Sequence, residues 1–433
     1  MRVWDRLGRM LPAGRFFRGS LAIAAGTSAA QLIGVASQPI LTRLYSPADY
    51  GVFSVAIAIL FVLSSVTCLR YEYAISLPDD DAEAANLFGL AMLINVGMTA
   101  VAGIALVLFG SSLLVLLNAS SLTPYIFLFA LTQFGIGINS ALVNWAVRVK
   151  DYGTIAVNRL TQAVVLSPTQ IALGTASIGA PGLMIGAVAG NFAGSVRLGR
   201  HAWRVDATAF KKISPAGMRR AAVRYRRFPI FSSWSALVAA LGTRAPLLLL
   251  VVFHGAIVGG QYALAERLLY LPLTIVAGAI GQVFRAESAQ LSRGRQPEEL
   301  RALFQRTSWS LARIALGPAV LIAIAAPILT APVFGEEWRD AGWFIAILVP
   351  MFYTAFVATA TGEILYVIER QPLQLAREIL RLALLGGSVV VATFSGLDAI
   401  PTVVLLSLAG CVTYAIYGVI SWRALAHYQE ATP

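Results

Sequence analysis

The sequence predicts an all-α integral membrane protein of about twelve transmembrane helices. These form two six-helix lobes related by a pseudo-two-fold axis along the membrane normal. Composition is the first ground: 58% of the 433 residues are apolar and 12% charged, with mean hydropathy +0.74, whereas soluble chains carry roughly 25% charge. The second is the recurrence of uncharged runs long enough to span a bilayer. The third is a strict alternation of lysine and arginine between successive connections.

A helix needs roughly 20 apolar residues to cross ~30 Å of hydrocarbon, with every backbone group bonded internally. Runs 20–42, 50–69, 245–265, 314–335, 341–362 and 399–422 meet that length. The uncharged stretch 84–147 is too long for one span; turn formers at Gly110-Ser111-Ser112 and Asn118-Ala119-Ser120-Ser121 divide it into two. Ser177 to Gly182 separates a fifth span from a sixth, and the remaining segments complete twelve. Asp79, Asp80, Asp81 and Glu83 precede the third span, where carboxylates cap a helix N-terminus and complement its dipole.

Counting Lys and Arg orients the chain, because cytoplasmic connections hold the excess. The side shared by both termini carries 25 of them, against Arg43 and Arg339 opposite. The net charge of +12 is therefore topology rather than nucleic-acid binding. Both ends are expected in the cytoplasm. The expected organisation is a basic N-terminal segment over 1–18, a six-helix lobe over 19–203 and a basic linker over 204–228. A second lobe covers 229–425, and a tail 426–433. Residues 1–18 read as a positive flank orienting the first span, with an amphipathic interfacial anchor as the other reading.

Cys68 and Cys411 lie in apolar runs, and His201, His254 and His427 share no helical spacing. A disulfide framework, a metal site and a resident cofactor are therefore not expected. The two halves resemble each other weakly. Tyr50-Gly51-Val52-Phe53-Ser54-Val55-Ala56 and Gly259-Gly260-Gln261-Tyr262-Ala263-Leu264-Ala265 coincide in Gly, aromatic and Ala at an offset of 209. Six equally oriented spans per half fit a parallel repeat, which places a substrate cavity between the lobes.

Polar stripes mark helix faces that could line such a cavity. Thr27, Gln31, Gly34 and Gln38 recur at helical spacing in the first span, and Gln133, Gly137, Ser140 and Asn144 in the fourth. Interhelical packing by small and polar residues is the competing reading. Charges at membrane depth are rarer and more telling, because each costs ~2.5–3.5 kcal/mol at the bilayer centre. Arg159, Arg313, Arg377, Arg381 and Glu363 are counted within a few turns of cytoplasmic ends, where long side chains snorkel. Arg244 and Arg267 fall instead roughly 12–15 Å below the outer surface on adjacent spans, an anion site in which Pro246 breaks the ladder beside them. Glu266 either neutralises Arg244 in a structural pair or serves as counter-ion or proton acceptor.

Leu41-Thr42-Arg43-Leu44-Tyr45-Ser46-Pro47-Ala48-Asp49-Tyr50-Gly51 and Arg70-Tyr71-Glu72-Tyr73-Ala74-Ile75-Ser76-Leu77-Pro78 resemble the start of the polysaccharide biosynthesis, or Wzx-type O-antigen flippase, family. Tyr262-Ala263-Leu264-Ala265-Glu266-Arg267-Leu268, Leu271-Pro272 and Gly281-Gln282-Val283-Phe284 are similar to its eighth span. The resemblance implies the multidrug/oligosaccharidyl-lipid/polysaccharide exporter superfamily, with alternating access in a bacterial inner membrane. The expected cargo is an undecaprenyl-pyrophosphate-linked oligosaccharide for O-antigen, capsule or exopolysaccharide, its pyrophosphate received by a cationic cavity. Arg267 matches the family position; Arg244 and Glu266 rest on the depth count. A proton or sodium gradient is the expected coupling ion. A polysaccharide polymerase and chain-length regulator are the expected partners of a functional monomer.

The physics agrees with a transporter, since a pyrophosphate-sugar headgroup cannot cross hydrocarbon without a polar route. Guanidinium forks suit phosphate oxygens. A multidrug cation antiporter of the same superfamily is the alternative, but it calls for carboxylates absent from 84–147 and from the first span. A membrane-embedded polymerase or ligase calls for a large outer loop, and the outer loops here are about a dozen residues or fewer.

Overall fold

The computed structural model describes residues 15–368 and 370–430. Most of the basic N-terminal segment and the end of the tail therefore lie outside the described residues. Every regular element among them is helical: α1 (Arg15–Ala36), α2 (Gln38–Leu44), α3 (Pro47–Ser64), α4 (Asp81–Leu116), α5 (Ile126–Arg148), α6 (Tyr152–Thr175), α7 (Ala180–Val205) and α8 (Pro215–Arg224) come first. They are followed by α9 (Ser233–Pro272), α10 (Gly278–Arg293), α11 (Pro297–Phe334), α12 (Arg339–Thr361), α13 (Gln371–Arg381), α14 (Gly387–Phe394) and α15 (Ala399–Glu430). Seven tracts among the described residues are long and apolar enough to cross a membrane, so the protein is a multi-pass membrane protein.

Local chemistry sets the breaks. Pro39 has no N–H, and its ring crowds the carbonyl four residues back, so the first span divides at Ser37 into α1 and α2. Ser46 begins α3 with a reciprocal cap: Asp49 accepts from the Ser46 amide at 3.1 Å, and Ser46 Oγ accepts from the Asp49 amide at 3.2 Å. Asp80 caps α4 by accepting from the Ala82 and Glu83 amides. The break expected at Gly110 is absent, and α4 runs unbroken to Leu116. A glycine inside a membrane helix removes no hydrogen bond, and the turn comes at Asn118, whose φ is 49°.

The seventh and eighth spans are the two limbs of α9, folded back at one residue, Gly255, with φ 88° and ψ 172°. That backbone region is open essentially to glycine alone. Asn118 Nδ2 donates to the Val251 carbonyl at 2.8 Å, satisfying an orphan acceptor at the end of the first limb.

Two compact units interleave along the chain. Among the described residues, unit 1 comprises 15–37, 63–110 and 125–237, and unit 2 comprises 38–62, 111–124, 238–368 and 370–430. The core of unit 1 gathers Trp145, Phe210, Leu87, Ile75 and Leu198, and Trp145 Nε1 donates to Asp206 at 2.9 Å. Within unit 2, Trp338 is fully buried, donates to the Thr42 carbonyl at 2.9 Å, and meets Tyr50 edge to face at 4.9 Å.

Candidate anion site in unit 2

The internal repeat seen in the sequence is a physical contact in unit 2. A Cβ on Gly51 would run into the carbonyl oxygen of Ala256, and a Cβ on Gly260 into that of Pro47. Gly51 and Gly260, and likewise Pro47 and Ala256, stand 209 residues apart. The start of α3 thus crosses the second limb of α9 through equivalent residues on both sides, as an isologous contact requires. Only glycine permits so close a backbone approach.

This crossing places α3 beside both arginines of the sequence prediction. Arg244 lies 11 residues before Gly255 and Arg267 lies 12 after it, so the two stand at similar distances along the limbs from the hairpin turn. Side chains lean toward the N-terminus of their own helix, and the two limbs run in opposite directions. Arg244 reaches Phe61, with Cζ 4.5 Å from the ring centroid, while Arg267 acts electrostatically on Tyr50. Phe61 and Tyr50 are 11 residues, about three turns, apart on α3.

Arg244 and Glu266 approach to 3.7 Å, with each side chain 23% exposed. They are neither sealed from their surroundings nor fused into a short pair, and Arg244 Nε has no hydrogen-bond partner. Arg267 is half-buried.

A third guanidinium joins them. Arg381 donates to Thr243 Oγ1 at 2.9 Å, immediately before Arg244, and pairs with Glu378 at 2.7 Å. Arg377 is 4% exposed, donates to the Gly362 carbonyl, and lies 4.1 Å over the Tyr417 ring. Neither arginine snorkels to an interface, as the sequence reading had it. Depth counted from a helix end does not reveal which neighbour waits at that depth, and the only prior signal was the i,i+3 spacing of Glu378 and Arg381. Glu363 pairs with Arg285 at 3.2 Å.

The polar stripes are used unevenly. Gln38, in unit 2, is fully buried and accepts from the Tyr50 hydroxyl at 3.0 Å. In unit 1, Gln133 is buried and its amide donates to Thr67; Asn144 donates to the Ser140 carbonyl of its own helix. Thr27, Gln31, Ser140 and Asn144 keep partial exposure. Among the described residues, no group of three or more His, Cys, Asp or Glu could hold a metal ion.

Residues 40–342 match the polysaccharide biosynthesis protein family, which is well over half of the chain. The chain belongs to that family. The matched stretch of this polysaccharide biosynthesis protein includes the Ser46–Asp49 cap, the glycine crossing, Arg244, Glu266 and Arg267, while Arg381 and Glu378 lie beyond it. Curated protein sequences give no match. Among solved structures, it is similar to the lipid II flippase MurJ in an inward closed conformation, with TM-score 0.67, 11% identity, and 95% and 90% of the two chains covered. It is also similar to an inward-facing multidrug resistance MATE family transporter of the MOP superfamily, with TM-score 0.62, 15% identity, and 95% and 96% covered. An outward-facing MATE transporter gives TM-score 0.57 at 15% identity, with 96% of each chain covered. The fold is thus the two-lobe, twelve-helix fold of that superfamily.

Proposed function

We propose that the protein is a flippase carrying an undecaprenyl-pyrophosphate-linked oligosaccharide from the cytoplasmic to the outer face of a bacterial inner membrane, both termini being cytoplasmic. It would do so by alternating access, for O-antigen, capsule or exopolysaccharide synthesis. What supports this reading is the set of partly exposed guanidinium groups in unit 2, on segments that the sequence reads as membrane-spanning. A charge retained there is costly unless it serves a route, and Arg267, Arg244 and Arg381 offer forked donors suited to phosphate oxygens. Glu266 stands where it can return Arg244 to neutrality between cargoes, or accept the proton if the coupling gradient is one of protons; a sodium gradient is the other coupling ion proposed. Thr27, Gln31, Ser140 and Asn144, all partly exposed, are the groups proposed to meet sugar hydroxyls. A cation antiporter is the second reading; the excess of arginine over carboxylate in unit 2's polar cluster weighs against it.

The test is export in a strain depending on this protein, with membrane abundance measured alongside. Arg267→Ala is expected to abolish surface-polysaccharide display at normal abundance, and Arg267→Lys to restore it partly. Normal display by both variants would overturn the anion-site assignment.

A further inference from the structure

The basic linker serves no step of that reading, yet it is folded down onto unit 1 rather than left slack. Asn86, in the second turn of α4, accepts from the Ser214 amide at 2.9 Å and donates to the Lys212 carbonyl at 3.3 Å. Ser214 in turn caps α8, accepting from the Gly217 amide at 3.1 Å. A Cβ on Gly217 would run into the Asn86 amide, and one on Gly89 into Ile213, so glycines let the linker lie close against α4. Arg224 pairs with both oxygens of Glu83 at 2.8 and 2.9 Å, and the Tyr71 hydroxyl donates to the Ala222 carbonyl at 2.9 Å. Charge that merely orients a membrane chain has to stand on the correct side; it needs no such seat.

The position of the seat determines what it faces. Asn86 and Gly89 open a stripe on α4 that continues at helical spacing through Leu93, Val96, Ala100, Ile104 and Val107. Leu93, Val96, Ile104 and Val107 are 53–72% exposed, and a long apolar face of that kind on a spanning helix is turned to hydrocarbon. α8 therefore covers the first turns of a lipid-facing stripe, at the edge of the span where headgroups begin.

The outward side of the linker is cationic. Arg219, Arg220 and Val223 point away from the buried Gly217 and Ala221; Lys211 and Lys212 precede α8, and Arg226 and Arg227 follow it. All six cations are exposed, and among the described residues none of them has an ion-pair partner. Exposed apolar side chains stand among and after them: Val223, Phe231 and Trp234. An acidic cytosolic protein would match the charges but not these apolar groups. Anionic headgroups above hydrocarbon match both.

We propose that this seat docks anionic phospholipid, its phosphate groups on Arg219, Arg220, Arg226 and Arg227 and its acyl chains along the α4 stripe. The linker is then a built lipid-binding surface of unit 1, independent of what the protein carries.

The test reconstitutes the full chain in phosphatidylcholine vesicles holding a minor fraction of phosphatidylglycerol, with one lipid or the other brominated. Val223→Trp, carried in every variant, sets a reporter in the patch, and subtracting the signal of the same chain without it isolates that reporter from the eight native tryptophans. Its quenching is expected to favour phosphatidylglycerol by about fivefold for each arginine engaged. Replacing Arg219, Arg220, Arg226 and Arg227 together by glutamine should abolish the preference. Asn86→Ala, which unpins the linker without removing a charge, should weaken it. Lys150→Gln, at an exposed cation outside the patch, should leave it. Equal quenching by both lipids, or a preference that outlasts the fourfold variant, overturns the proposal. So does a preference untouched by Asn86→Ala, which would reduce the seat to diffuse charge. Displacement of phosphatidylglycerol by inorganic phosphate or by an equimolar isoprenoid diphosphate overturns it as well, giving the surface to a soluble anion or to the carrier lipid. Both leaflets of such vesicles have one composition, so neither orientation nor export enters the result.

Discussion

The reciprocal crossing of Gly51 and Gly260 makes a demand that can be measured. Alanine at either position sets a Cβ inside the backbone carbonyl of the opposite helix, at Ala256 or at Pro47. Neither obstacle is a side chain that can swing away. Even a close C–H···O contact holds carbon and oxygen about 3.3 Å apart, so α3 and the second limb of α9 must separate. Overpacking of this kind costs ~1–3 kcal/mol. Because the two overlaps are equivalent under the repeat, Gly51→Ala and Gly260→Ala should cost similar amounts. One separation relieves both, so the double variant should cost about as much as either single, a coupling of ~1–3 kcal/mol. Equilibrium unfolding of the purified protein in detergent micelles, with all three variants and the parent run together, gives the four corners of the cycle. Strictly additive costs, or single costs within ~0.5 kcal/mol of zero, would refute the crossing.

Arg244→Gln should impair export, and adding Glu266→Gln should restore it only if the 3.7 Å pair is structural; failure of the double variant favours Arg244 as a cargo contact. Arg381→Gln should lower transport at unchanged abundance, whereas loss of the folded protein would make Arg381 a packing residue. Asp151 lies outside the spans. Its partial burial opposes the charge, but the Thr154 hydroxyl and amide and His201 more than offset this, holding the carboxyl below its usual range. The stability it contributes is present above the unfolded carboxylate value and lost as pH falls through the folded one, so Asp151→Asn should flatten the acid side of a melting-temperature profile. Trp338→Phe leaves the Thr42 carbonyl unpaired in a fully buried position and should cost ~1–3 kcal/mol, read by thermal unfolding.

Much of the fold was legible because its determinants are one-dimensional. Span length and turn formers at Asn118 and Ser177 to Gly182 are properties of the chain alone. The offset of 209 was legible as a weak match; that the matching residues touch was not. The misread positions share a cause. Gly110 is a turn former by type, but nothing in α4 forces a turn there. Pro39 was passed over because the run containing it is uncharged. Arg377 and Arg381 were placed by depth alone, although the partner at that depth, Tyr417 or Thr243, decides what an arginine does. Arg244 and Arg267 were placed by counting residues, which does not show that the two limbs run in opposite directions and lean their side chains opposite ways.

A hairpin closed by one residue has no slack. Because the two limbs of α9 are joined at Gly255 alone, neither can slide far along its axis without drawing its partner with it, and the limb carrying Arg244 is tied in that way to the limb carrying Glu266 and Arg267. A tag or protease site inserted at Gly255 would undo that tie, whereas the same insertion in a slack surface loop would be borne without consequence.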